Sequence, residues 1–220
     1  MSQQFIIAPE TIIQAYTLGI FPMATSKNSR DIQFFQPDVR GILPFRPPKI
    51  PKKLLRLLKK QPFEIQWNQN FPAVIDGCAA PRTDTKDTWI NPMIRRLYIS
   101  LHMLGFAHSV EAYKEGNLIG GLYGVAIGGA FFGESMFSRE SNASKIALCH
   151  LMARLKYGNF NLLDAQFVSD HLMQFGIESI DNTSFQKKLK TAINTEASLE
   201  LDIPESQIIH SLWHDNKVTS

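Results

Sequence analysis

In LLDAQFV (162–168) a carboxylate and a primary amide, Asp164 and Gln166, interrupt an otherwise apolar run. Two positions apart on a strand, they project from the same face. Bare burial of such groups costs several kcal/mol, so they must be hydrogen-bonded or line solvent. A third polar group, Glu134, lies within GGAFFGESMF (128–137), the most glycine-rich and aromatic stretch of the chain. Two readings stand. The three groups form a closed polar network inside the core, or they form a polar centre at the end of an apolar pocket. Such a pocket would hold a hydrophobic group while Asp164 and Gln166 position a reacting amine.

Other chemistries fit less well. Gly133-Glu134-Ser135-Met136-Phe137 resembles a nucleophile elbow, but Phe137 takes the place of its second glycine. Gly120, Gly121, Gly124, Gly128, Gly129 and Gly133 match neither a P-loop nor a dinucleotide fingerprint. The loop SRESNAS has no glycine with which to offer backbone N–H groups to the pyrophosphate of coenzyme A. His102 and His108 lack HExxH spacing, and Cys78 and Cys149 are far apart. No metal and no cofactor are therefore expected. The N-terminus has no charged n-region and no apolar run approaches about 20 residues, so a soluble, cytoplasmic protein without a membrane partner is expected.

Charge is unevenly spread. Residues 39–63 contain no acid but eight bases: Arg40, Arg46, Lys49, Lys52, Lys53, Arg56, Lys59 and Lys60. The formal net charge is +3, so removing those eight leaves the rest at −5. A local cationic field implies a local polyanion. In PKKLLRLLKK, Leu54, Leu55, Leu57 and Leu58 share one helical face and the five cations take the other. A solvated face and a phosphate-binding face are both compatible with that segregation.

These side chains need a scaffold. Helix signals cover residues 9–18, 51–60, 71–80, Pro92 to Gly105, Ser141 or Asn142 to Gly158, and 170–175, with a last helix after Thr183, whose spacing to Gln186 suits a capping box. Period-two signals cover 63–68, a three-strand meander over 107–137 with turns near 115–117 and 128–129, then 162–168 and 177–180. The proline-rich run FFQPDVRGILPFRPPKIP reads as irregular. The order predicts an α+β fold, with LLDAQFV joining the meander by a crossover.

The segments AYTLGIFPM, PDVRGILP, PR…TWINPMI, LHMLGFAHSVEAY, GGLYGV, GGAFFGESMFSRESNASKIAL, LLDAQF and DHL…FG, in this order over roughly residues 8–185, carry a close resemblance to the leucyl/phenylalanyl-tRNA–protein transferase family. The resemblance implies a small basic N-terminal domain (1–62) and a catalytic domain (63–220) related to the GNAT acetyltransferases, with a mixed, mainly antiparallel sheet flanked by helices. It implies transfer of Leu or Phe, less well Met, from aminoacyl-tRNA to proteins beginning with Arg or Lys, which marks them for N-end-rule degradation, by an enzyme read as a monomer. On this resemblance Asp164 and Gln166 are the catalytic pair. Leu122, Phe131, Met136, Leu148 and Leu163 form the pocket for the transferred side chain. Glu134 and Ser138 are its polar contacts, and Trp89, Phe34 and Phe35 lie toward the adenosine end. Lys52, Lys53, Arg56, Lys59 and Lys60 would hold the acceptor stem. The chain departs from many members in having Met23 for a tryptophan, and Phe34 and Phe35 for two more.

Overall fold

A computed structural model of the chain describes residues 7–46, 48–81 and 87–215. In order these form α1 (Pro9–Thr17), β1 (Phe21–Ala24), β2 (Ile32–Phe35), β3 (Val39–Ile42), α2 (Lys52–Lys59), β4 (Glu64–Trp67), α3 (Phe71–Ala79), α4 (Pro92–Met103), β5 (Ala107–Lys114), β6 (Asn117–Ile127) and β7 (Ala130–Ser138). They continue as α5 (Ala143–Tyr157), β8 (Leu162–Gln166), α6 (Asp170–Met173), β9 (Glu178–Asp181), α7 (Asn182–Ile193) and α8 (Glu205–Asp215). Among the described residues no helix is long and apolar enough to cross a membrane. Arg82, in the PR…TWINPMI segment, lies outside the described residues.

The meander forms as its alternation requires. β5 pairs with β6 and β6 with β7, both antiparallel, turning at Glu115–Gly116 and Gly128–Gly129. α5 then carries the chain back so that β8 runs parallel to β7. The full order is β4-β5-β6-β7-β8-β3-β9, a mixed and mainly antiparallel sheet. Successive side chains point to opposite faces. Tyr123, Phe132 and Leu162 enter a core shared with α1, α3, α4 and α7, while Leu122, Phe131 and Leu163 enter one shared with α2, α5 and α8. The fold is α+β with helices on both faces.

The structure corrects several expectations. The run read as irregular contains the end of β2 and the whole of β3, and β3 lies in the main sheet between β8 and β9. β3 pairs with strands on the other side of residue 62, and β1 and β2 form a small sheet of their own. β3 escapes the pattern because it is four residues long and contains an arginine and a glycine. α7 begins earlier than its sequence signal: its cap is Asp181, whose side chain accepts from Ser184 N–H, not Thr183. Asn142 occupies the cap position of α5 without bonding there. The hydroxyl of Ser138, at the end of β7, accepts from Ser144 N–H instead, at 2.9 Å. α8 has no counterpart among the helix signals of the sequence.

α1 ends where the sequence requires. Gly19 adopts φ +76°, the left-handed conformation in which a helix closes most readily on glycine. Its N–H returns to the Tyr16 carbonyl and that of Ile20 to Ala15. This turn presents Tyr16 to the sheet and the Gly19 carbonyl to β3.

Candidate active site

β7 and β8 are hydrogen-bonded only over Ala130–Phe132 and Leu162–Asp164. Beyond that point a cavity of about 250 Å³ opens, lined by Gly133–Met136 of β7 and by Leu163–Phe167 of and just beyond β8. Leu122 of β6 and Leu148 and Leu151 of α5 close its apolar side, and Met23, Trp89 and His171 stand on other parts of its wall. The site is a slot between two parallel strands, apolar on one side and carrying Glu134, Asp164 and Gln166 on the other.

Glu134 is surrounded by donors. Tyr16 donates to its Oε1 at 2.5 Å, Tyr98 to its Oε2 at 2.8 Å, and Gln166 Nε2 to Oε1 at 2.8 Å. The Tyr16 and Tyr98 hydroxyls are themselves 2.6 Å apart. Burial first, and then the Glu134 charge, hold both phenols well above their usual 10. Burial pushes the Glu134 carboxyl from 4.5 up to about 7; the nearby Asp164 adds to this, while the tyrosines and Gln166 pull against it. The geometry gives the same direction. Three oxygen–oxygen contacts join the two phenols and the carboxylate, yet two hydroxyls supply only two protons. With a proton on Glu134, one phenol accepts from the carboxyl and turns its own hydroxyl toward the other, so that all three contacts are filled. Among the described residues no cation is ion-paired with Glu134.

Asp164 is held differently. Arg40 of β3 grips it as a fork: Nε lies 2.9 Å from Oδ1, and Nη2 2.6 Å from Oδ2. Arg40 and Asp164 are 1% and 0% exposed. Burial raises the Asp164 carboxyl, and the guanidinium and a backbone N–H draw it back. With a bidentate cation and that donor in place, the carboxylate is the form this geometry holds. The backbone donor is Gln166 N–H, 2.8 Å from Oδ1. Asp164 therefore fixes Gln166 through its main chain, and Glu134 takes the side-chain amide.

The profile described as leucyl/phenylalanyl-tRNA protein transferase matches residues 42–190, and the one for that protein's N-terminal domain matches residues 6–38. The chain belongs to the leucyl/phenylalanyl-tRNA–protein transferase family. It is 48% identical over 201 residues to the transferase of that name from Rhodopseudomonas palustris (strain TIE-1), covering 90% of this chain and 89% of the relative. With the one from Paramagnetospirillum magneticum (strain ATCC 700264 / AMB-1) it shares 46% over 187 residues, 85% and 90% of the two chains.

Of the residues the transferase resemblance singled out, Trp89, Leu122, Glu134, Met136, Leu148, Leu163, Asp164 and Gln166 line the one cavity. Phe131 does not. It is 1% exposed in the core behind the wall, among the side chains of α5. Ser138 does not either: it lies at the far end of β7 and caps α5. Phe34 is exposed on β2, and Phe35 stacks on Phe21 at 6.1 Å. Lys52, Lys53, Arg56, Lys59 and Lys60 are all exposed on α2, over Leu54 and Leu58 buried beneath. Sequence reasoning missed Tyr16, Tyr98 and Arg40. It also counted Arg40 among the surface cations, whereas the pair with Asp164 removes it from that field.

Proposed function

We propose that the protein moves a leucyl or phenylalanyl group, and less readily a methionyl group, from its tRNA ester to the α-amino group of a protein beginning with Arg or Lys, so marking it for N-end-rule degradation. The observation that carries this reading is an apolar cavity ending on the Glu134 carboxyl, which has hydroxyl and amide partners and, among the described residues, no ion-paired cation, so that an arriving ammonium favours its ionised form. An aminoacyl ester has what that site lacks. Its side chain fills the space beside Leu122, Met136, Leu148 and Leu163, and its α-ammonium meets Glu134. A methionine-bearing wall adapts to Leu and Phe and gives polar side chains no partner.

Gln166 Nε2 is already committed to Glu134, which leaves its Oε1 to accept an N–H of the incoming amine. That amine has a pKa near 8, so a useful fraction is neutral and no strong base is needed. Its nitrogen attacks the ester carbonyl carbon. The C–N bond forms, the ester C–O bond breaks, and the proton lost by the amine passes to the leaving ribose oxygen. Asp164, bound to Arg40 and to the Gln166 backbone, serves this step by orienting Gln166. Trp89, on the cavity wall, is assigned to the adenosine end.

The cations of α2 are assigned to the acceptor-stem phosphates. Lys53, Arg56 and Lys60 share a groove with Lys145 of α5, which extends the cationic track. We relate the slot between β7 and β8 to that of GNAT acetyltransferases, with aminoacyl-tRNA replacing an acyl-coenzyme A and no cofactor, and read the enzyme as a cytoplasmic monomer. The test is incubation with labelled Leu-tRNA or Phe-tRNA and peptides differing only in their first residue. Label is expected on Arg and Lys peptides. Transfer to acidic peptides alone, or tRNA binding without transfer, overturns the proposal.

A further inference from the structure

Gln166 has an uncommon backbone. Its φ is +63°, and Phe167 N–H bonds the Ala165 carbonyl across it at 2.7 Å. This is a tight three-residue turn of the strained hand, which a non-glycine residue adopts only at a cost. Such a conformation persists only where the surroundings over-determine it. The turn follows the last residues of β8 and sets the direction in which the Gln166 amide leaves the strand.

The surroundings that impose it run back to Arg40. Asp164 Oδ1 holds the Gln166 N–H at 2.8 Å, and the same carboxylate receives the Arg40 fork. Arg40 is itself fixed on every side. Its guanidinium carbon lies 4.8 Å from the ring centroid of Phe21 and 4.4 Å from that of Phe185. Nη1 donates to the Gly19 carbonyl at 2.8 Å. The next residue, Gly41, lies opposite Gln166 in the strand register. A Cβ on Gly41 would come within 2.9 Å of the Phe167 backbone, so glycine there lets β3 press directly on the turn.

A buried ion pair is poor evidence for stability, because its desolvation cost offsets the attraction and apolar replacements are often as stable. Geometry accounts better for retaining this one. Gly19 follows the helix that carries Tyr16, and Tyr16 bonds Glu134 Oε1, the oxygen that also receives Gln166 Nε2. The contacts close a ring: Arg40, Asp164, the Gln166 backbone, the Gln166 amide, Glu134, Tyr16, Gly19 and Arg40 again.

We propose that Arg40 is a positioning residue for the transfer step: through Asp164 it locks the Gln166 turn, and so aims the amide that receives the attacking amine. This rests on the role given above to Gln166. A lysine at position 40 keeps the charge but cannot grip both carboxylate oxygens and Gly19 together.

The test is a double-mutant cycle on preformed Phe-tRNA and an Arg-peptide, comparing the wild type, Arg40→Lys, Gln166→Ala and the double variant. Arg40→Lys alone is expected to lower kcat by on the order of 100-fold, the cost of a misplaced reacting group. KM for Phe-tRNA should stay within about threefold, because the substitution leaves the cavity walls intact. In the Gln166→Ala background the same substitution should change kcat less than about threefold, since nothing is left to aim. Equal losses in both backgrounds, an unchanged kcat, or an effect confined to KM would overturn the assignment. If Gln166→Ala itself transfers normally, the role of Gln166 falls and this inference with it. If Gln166→Ala is slow but Arg40→Lys is not, only the inference falls. Arg40→Gln, which keeps N–H donors toward Asp164, serves if Arg40→Lys does not melt cooperatively. If neither folds, Arg40 is needed for the fold itself and the positioning role is refuted.

Discussion

Glu134→Gln separates what the carboxylate does for function from what it costs the fold. In the unfolded chain the group titrates near 4.5, and in the cluster of Tyr16, Tyr98 and Gln166 near 7. An acid whose folded pKa is the higher stabilises the fold fully below the unfolded value, and that contribution is lost as pH rises through the folded value. The wild type therefore loses stability between about pH 4.5 and pH 7. From 4.5 to about 7, at about 1.4 kcal/mol per tenfold change in proton affinity, the ceiling is roughly 3 kcal/mol. Part of Glu134 faces the cavity, which lowers the realised figure toward about 1–2 kcal/mol. Glutamine keeps the shape and carries no charge. In urea unfolding, the variant should match the wild type near pH 5 and exceed it by that amount near pH 8. The same variant should bind aminoacyl-tRNA more weakly near pH 8, because the counter-charge for the ammonium is gone. Parallel stability curves from pH 5 to pH 8 would refute the reasoning.

Three further outcomes follow from other parts of the molecule. Leu148→Trp narrows the cavity and should raise KM for Phe-tRNA more than for Leu-tRNA, by about 10-fold in steady-state transfer, the worth of a good fit in an apolar pocket. Lys53→Glu or Arg56→Glu should weaken tRNA binding and flatten the plot of log K against log salt by about one for each phosphate no longer neutralised, measured by filter binding. Glu205 of α8 accepts from Arg154 at 2.5 Å and from Trp67 Nε1 at 3.2 Å, and also meets His150. Removing it as Glu205→Ala should cost about 1–3 kcal/mol in urea unfolding, because the partly buried Arg154 is left without its carboxylate.

The parts of the site readable in the sequence were those whose signal is local. Asp164 and Gln166 stood out as polar groups in an apolar strand, and Glu134 as an acid in an aromatic one. α2 was legible because its leucines and cations separate on a helical wheel. Tyr16 and Tyr98 were not, since each looks like an ordinary core position of an amphipathic helix. Their role comes from contact with Glu134, 118 and 36 residues away. Arg40 was misassigned for the same reason. Its partner is 124 residues distant, and nothing nearby distinguishes it from the solvated cations that follow. The cap of α5 was misread because the hydroxyl that satisfies Ser144 N–H comes from Ser138, at the end of the preceding strand. Ser138 had been given to the substrate on the transferase resemblance alone. β3 shows how a short strand between loops is fixed by its neighbours in the sheet more than by its own period.

The central claim is that the slot between β7 and β8 holds the aminoacyl end of a charged tRNA while Gln166 aims the acceptor amine. Single-turnover transfer from preformed Phe-tRNA to an Arg-peptide, with Phe-tRNA affinity measured on the same samples, tests it most directly. For Gln166→Ala the account predicts near-normal affinity and a transfer rate lower by on the order of 100-fold; a rate equal to wild type at equal affinity would contradict it.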